Sequence, residues 1–296
     1  MNLVPQFPKK LHFLHACSFP SVTRFFEKNM SFGGRIGYSR EWLFTWLLVK
    51  KITHWDYRTV AEMAGIAHST LVRANQQFLE KKIYERLFKE LVKHAYRRGV
   101  IVGQHVALDS SFVKTFSRKS EPGSGGWNGK KEAYGFKLHA LVDASTEFPL
   151  ALIVGDGLTH DSQVAIPLLK RARPWLKKAG YVLADKGYDS TDIVAYIARS
   201  LKAKAGIPIR KTPKRNHQRK RPGNFHNWWL KARGRTVKRS LLRKRSSVER
   251  VFSYCKHTYH LGREATRGIN SFTKNVYLTL ISYMINKLYA HGSTIF

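Results

Sequence analysis

The chain is predicted to be an α/β protein, a mixed sheet flanked by helices and preceded by a small all-helical segment. Three observations carry that expectation. Apolar residues recur at helical spacing between 39 and 100, and β-branched and aromatic runs take over from residue 101. Those runs then alternate with helical stretches: three strands, helix, strand, helix, strand, a long basic segment and a further helix. With 296 residues, 43% of them hydrophobic, the chain can bury one large core or two modest ones.

Residues 1–38 hold prolines, scattered aromatics and Gly33-Gly34 without a sustained period, and are read as an irregular arm. Over 39–100 a helical domain is expected. Trp42, Leu43, Trp46, Leu47 and Leu48 set a helix across Arg40–Lys51. A helix-turn-helix pattern follows at about 56–77: Asp56 as cap, small Ala61 for close approach, Gly65 at the turn, and Ile66, Leu71 and Ala74 on the inner face. His68, Ser69, Thr70, Arg73, Asn75 and Gln76 then face outward, where they can reach DNA base edges or phosphates. A plain helical hairpin has the same spacing, so both readings stand. Another helix, about Phe78–Arg97, ends at Gly99.

A second domain is expected over 101–296. Gln104–Phe116 reads as a strand containing Asp109, and Ser117–Lys131 as a polar, glycine-rich loop. Tyr134–Val142 and Phe148–Gly155 read as two more strands of an antiparallel meander. Asp161 or Ser162 can cap a helix running to Arg173. Tyr181–Ala184 is a short buried strand that stops at Asp185, Thr191–Leu201 a helix, and Gly206–Ile209 a brief strand. The acid-free segment 210–244 sets Lys and Arg around Trp228 and Trp229, a composition that suits backbone neutralisation and base stacking, or equally a linker whose tryptophans dock on the core. A helix beginning near Arg243 places Arg245, Glu249 and Lys256 within about 40° on one face. Val248, Val251, Phe252, Cys255 and Tyr259 form its apolar arc.

Lys and Arg number 53 against 19 acids, a formal charge of +34. Such self-repulsion is relieved by a polyanion, so nucleic acid is the expected partner. The most hydrophobic segment, Val276–Ala290, is too short to span a bilayer, and the amino terminus lacks the layout of a secretory signal, so no membrane association and a cytoplasmic setting are expected. Two cysteines, Cys17 and Cys255, exclude a disulfide framework or a cysteine-based zinc site.

Against that basic background the acids stand out. Glu249 is the only acid in residues 193–263. A meander makes the strand of Asp109 central, and a crossover returns the strand of Asp185 beside it, so the two carboxylates can converge with Glu249 reaching across from its helix. Three close carboxylates repel one another unless a cation sits among them, and oxygen-only ligands favour Mg²⁺ or Mn²⁺. Two such ions can activate a water or a 3′-hydroxyl against a phosphodiester. Asp161, Asp189 and Asp192 are rivals for the site, but capping and turn chemistry accounts for each.

Leu-Asp109-Ser-Ser, Lys137-Leu-His-Ala-Leu-Val-Asp143, Thr159-His-Asp161, Ala-Asp185-Lys-Gly-Tyr-Asp-Ser190 and Arg245-Ser-Ser-Val-Glu249 together resemble the DDE transposases of prokaryotic insertion sequences. The likeness covers roughly residues 104–289. Arg245, Glu249 and Lys256 match the spacing of that family's tyrosine, arginine, glutamate, lysine signature, with Leu242 where the tyrosine is expected. The resemblance implies a ribonuclease H-like fold with Asp109, Asp185 and Glu249 as catalytic ligands of two Mg²⁺ or Mn²⁺ ions. It implies Arg245 and Lys256 as phosphate contacts, and Trp228 or Trp229 as the holder of a flipped base. It further implies nicking at terminal inverted repeats, attack of the freed 3′-hydroxyl on target DNA, a homodimer or larger assembly on double-stranded DNA, and a prokaryotic nucleoid setting. Two rivals remain: a metal-dependent nuclease without strand transfer, and a helix-turn-helix regulator with a decayed catalytic domain. The intact acids weigh against the second.

Overall fold

A computed structural model describes residues 25, 26, 28, 37–116, 125–129, 131–209, 228, 231–233, 239–263 and 266–291. The chain divides into two compact units, one made of residues 1–100, 255–264 and 270–296, the other of 101–254 and 265–269.

The first unit is helical. In α1 (Arg40–Thr53) the Ser39 hydroxyl accepts from the Trp42 N–H at 3.1 Å, and His54 closes the helix in the left-handed region. Asp56 caps α2 (Tyr57–Ala64) by accepting from the Thr59 N–H at 2.8 Å. Gly65, at φ +67°, turns the chain into α3 (His68–Glu80), a conformation that strains any L side chain. Then come α4 (Ile83–Arg97) and, late in the chain, the helix Gly268–Ala290. Leu43, Leu47, Leu71, Phe78, Leu87, Val276, Leu280 and Ile281 are among its buried core. The lead-in contributes as well: Phe25 and Phe26 are helical and buried, and the Phe26 ring lies 5.4 Å from those of Phe44 and Phe78. Asn75, expected to face outward, is buried, donating to the Tyr57 hydroxyl and accepting from the Tyr84 hydroxyl at 2.5 Å. Among the described residues no helix is long and apolar enough to cross a membrane.

The second unit is built on a six-stranded mixed sheet. Its centre is β1 (His105–Lys114), flanked on one side by antiparallel β3 (Ala133–Asp143) and on the other by parallel β5 (Tyr181–Leu183). On its outer edge β3 pairs with β2 (Gly126–Asn128) and β4 (Pro149–Asp156), while β5 is followed outward by parallel β6 (Lys204–Gly206). Asp143, fully buried, pins the β3–β4 connection by accepting from the N–H groups of Ser145 and Thr146, and draws in Gly103 at 2.5 Å. Helices with described bounds are α5 (Asp161–Ala172), α6 (Thr191–Ser200), α7 (Arg239–Arg243) and α8 (Ser246–His257). The Gly268–Ala290 helix is therefore α9.

This is the expected meander with a crossover, altered in detail. The strand β2 lies inside the stretch expected to be loop; it forms by close backbone approach to β3, since a Cβ on Gly125, just ahead of β2, would meet the Gly135 carbonyl oxygen at 2.4 Å. The last strand is Lys204–Gly206 and not Gly206–Ile209, because its register is fixed by parallel pairing of Tyr181 with Lys204, which leaves Ile209 61% exposed. The helix expected from Arg243 is broken: α7 ends there, Lys244 and Arg245 form a turn, and α8 starts at Ser246. Its apolar residues Val248, Val251, Phe252 and Cys255 are buried, as is Tyr259 beyond its end.

Candidate active site

Successive side chains of a strand point to opposite faces, so Asp109 and Ser110 of β1 serve two different clusters. On the Asp109 side, the Arg245 guanidinium spans two acids. Its Nη1 donates to Asp109 Oδ2 at 2.8 Å and its Nη2 donates to Glu249. Arg245 reaches Asp109 because the turn at 244–245 delivers it just ahead of α8, and Glu249 follows one helical turn on. The other Asp109 oxygen, Oδ1, accepts from the Ser110 N–H at 2.8 Å.

Asp185 lies two residues beyond the end of β5 and caps the short 3₁₀ turn Lys186–Tyr188 by accepting from the Gly187 N–H at 2.7 Å. A Cβ on Gly187 would lie 2.8 Å from Asp185 Oδ1, so the glycine is what lets this carboxylate sit there. Asp109 holds its proton up to about 6, first through burial and then because Asp185 and Glu249 lie close enough to repel its charge; the Ser110 N–H and Arg245 pull the other way. Asp185 and Glu249 thus each lie near enough to Asp109 to act on its charge, and the Arg245 guanidinium bridges Asp109 and Glu249. Among the described residues no three acidic, histidine or cysteine side chains stand closely enough to hold an ion as arranged. The donor set nevertheless fits a hard divalent cation, since it is all oxygen and its mutual repulsion already recruits a positive group.

On the Ser110 side, Asp161 does not cap its helix. The N-cap position is His160, without a side-chain bond. Asp161 Oδ1 instead accepts from Ser110 Oγ at 2.8 Å and Lys137 Nζ at 3.2 Å, with His139 Nδ1 at 3.7 Å. Of the other rivals, Asp189 is bound by the buried guanidinium of Arg233, which also donates to the Ile207 carbonyl at 2.5 Å. Asp192 is exposed in the first turn of α6.

Lys256 lies in the last turn of α8, where the chain has passed into the helical unit. Trp228 is helical and half-buried, with the Arg199 guanidinium 5.0 Å from its ring centre; Trp229 lies outside the described residues, as do most of 210–238. On α3, His68, Arg73 and Gln76 are exposed and Ser69 and Thr70 half-buried; Gln76 also donates to Glu80 at 3.0 Å. The contribution of Ser110, Lys137, His139 and Arg233 was not foreseen. A signal existed for two of them, because Lys137 and His139 are two apart on a strand and so share a face.

Residues 102–285 match the transposase DDE domain family, and the chain belongs to it. A transposase named for insertion sequence element IS6501 of Brucella ovis is 41% identical over 76 residues, 26% of this chain and 55% of the relative, so the match spans about half of that protein. The fold resembles the piggyBac transposase, solved as a synaptic complex with hairpin DNA, at a TM-score of 0.51 and 11% identity over 99% of this chain and 78% of that one. The fold is ribonuclease H-like, in agreement with the sequence expectation. The Mos1 mariner paired end complex with Mn aligns over 79% of this chain and 83% of that one at a TM-score of 0.26 and 13% identity, and carries no weight here.

Proposed function

We propose that the chain is the transposase of a prokaryotic insertion sequence, which cleaves phosphodiester bonds at the element's ends and joins the 3′-hydroxyls to target DNA. The observation that supports this reading is that Arg245 bridges Asp109 and Glu249, 140 residues apart, while Asp185 and Glu249 both act on the charge of Asp109. Family membership supports it.

Asp109, Asp185 and Glu249 are the ligands of Mg²⁺ or Mn²⁺, two ions per site. Bound there, the ions would lower the pKa of an attacking water or 3′-hydroxyl and neutralise charge on the leaving oxygen. The protein's own part is to hold the acids. The β1 backbone fixes one oxygen of Asp109, Gly187 fixes one of Asp185, and α8 presents Glu249. Arg245 neutralises two of the acids and is placed to engage a phosphate once they bind metal; Lys256 is a second phosphate contact. The Trp228 ring, whose one face Arg199 covers, is a candidate base holder, and Trp229 the alternative. His68, Ser69, Thr70, Arg73 and Gln76 of the helical unit read the terminal repeats, and the sheet unit that begins at residue 101 carries the catalytic acids. The enzyme works on double-stranded DNA as a homodimer or larger assembly, at the nucleoid.

The test uses a labelled duplex carrying the ends found beside the gene, with Mg²⁺ and a target plasmid. Wild-type protein is expected to give nicked and joined products. Glu249→Gln is expected to lose both by about a thousandfold, the consequence of losing several kcal/mol of charge stabilisation, while still binding the duplex. Cutting at the wild-type rate by that variant would overturn the assignment, and nicking without joining would make the chain a nuclease.

A further inference from the structure

We propose that Asp161 is a positioning residue for Asp109, acting through Ser110 from the opposite face of the sheet. This rests on the reading of Asp109 as a metal ligand.

The contacts form a short relay. Asp161 Oδ1 accepts from Ser110 Oγ at 2.8 Å, and the Ser110 N–H donates to Asp109 Oδ1 at 2.8 Å. With that oxygen tied to the strand, Oδ2 is the one turned toward Arg245. Ser110 pairs with His139 and Phe112 with Lys137 in the β1–β3 register, so Ser110, His139 and Lys137 lie on one face, the face that receives Asp161. Lys137 donates both to Asp161 at 3.2 Å and to the Thr159 carbonyl at 3.0 Å, which fixes the start of α5 against β3.

A second observation points to the same carboxylate. His139 is 1% exposed and neither ring nitrogen has a hydrogen-bond partner, although Nδ1 is 3.7 Å from Asp161 Oδ1. A buried imidazole without a hydrogen-bond partner costs free energy. Its closest carboxylate is already committed to Ser110 and Lys137. The buried Tyr188 hydroxyl is pushed up first by burial and then by the charges of Asp161, Asp109 and Asp185, so the three carboxylates lie around one hydroxyl. Groups that orient a metal ligand typically change metal affinity about 10–100-fold when removed.

The experiment measures Mn²⁺ binding to the full chain by calorimetry, without DNA, for wild type, Asp161→Ala, Asp161→Asn, Ser110→Ala and Asp109→Asn. Asp161→Ala and Ser110→Ala are each expected to weaken Mn²⁺ binding about 10–100-fold, and their combination to be no worse than either alone. Asp161→Asn keeps an oxygen acceptor for Ser110 and is expected to restore affinity to within about threefold of wild type. Should Asp161→Ala fail to fold by circular dichroism, Ser110→Ala deletes the same bond from the other side. Wild-type affinity in Ser110→Ala and Asp161→Ala, with binding lost in Asp109→Asn, overturns the relay while leaving the metal site intact. An Asp161→Asn variant as weak as Asp161→Ala overturns it by making Asp161 a ligand. Undiminished binding in Asp109→Asn removes the reading on which the relay rests.

Discussion

Asp109 is the centre of the proposed site, and its environment has a measurable cost. Burial and two neighbouring acids hold its carboxyl up to about 6, against 3.8 in a free chain. Between those values the folded state binds a proton that the unfolded state has lost, so stability falls as pH rises from about 4 to about 6 and then levels off. Removing the charge reverses this. At pH 7, Asp109→Asn is expected to melt higher than wild type, by about 1–3 kcal/mol of stability, and to match it at pH 3.5. Thermal unfolding at the two pH values in a chelator checks this, and a destabilised variant at pH 7 would contradict it. The charged partners Arg245 and Glu249 were legible because a lone acid in a basic run is conspicuous. The contacts of Asp161 were not, since an acid at a helix start satisfies a local rule and its partner Ser110 is 51 residues away. Asn75 is a different case. Leu71, Ala74, Asn75 and Phe78 have the spacing of one helix face, and all four are buried; residue type misled where periodicity was right.

At the level of elements, β1 is the support for both clusters, and its pairing with β3 must hold for either to exist. That pairing depends on Gly135, where a Cβ would sit 2.3 Å from the Val113 carbonyl oxygen and 2.5 Å from the Phe112 ring. Gly135→Ala is expected to cost about 1–3 kcal/mol, the usual penalty for overpacking, read as a lower thermal midpoint. A midpoint equal to wild type would show that the β1–β3 edge tolerates the methyl group. The meander, the crossover strand and the helices were readable from alternation and period, whereas β2 was not. Three residues with two chain neighbours carry no pattern of their own, and only the tertiary approach of Gly126 to Gly135 makes them a strand. The break before α8 was hidden for a similar reason, because Arg243–Arg245 are good helix formers and nothing in their propensity marks a turn.

Over the whole chain, a formal +34 makes the few carboxylates conspicuous. Acids on such a protein are readily paired with Lys or Arg, as Glu85 is with Lys89 and the inner Asp189 with Arg233. Among the described residues Asp109 and Glu249 share one guanidinium, and in the proposed site a divalent cation is the counter-charge expected to displace it. The most direct measurement is anomalous X-ray diffraction at the manganese edge from crystals of the protein grown with Mn²⁺. Peaks ligated by oxygens of Asp109, Asp185 and Glu249, with the Arg245 guanidinium withdrawn from between them, are expected; Mn²⁺ bound elsewhere, or Arg245 still bridging Asp109 and Glu249 in saturating Mn²⁺, would contradict the assignment.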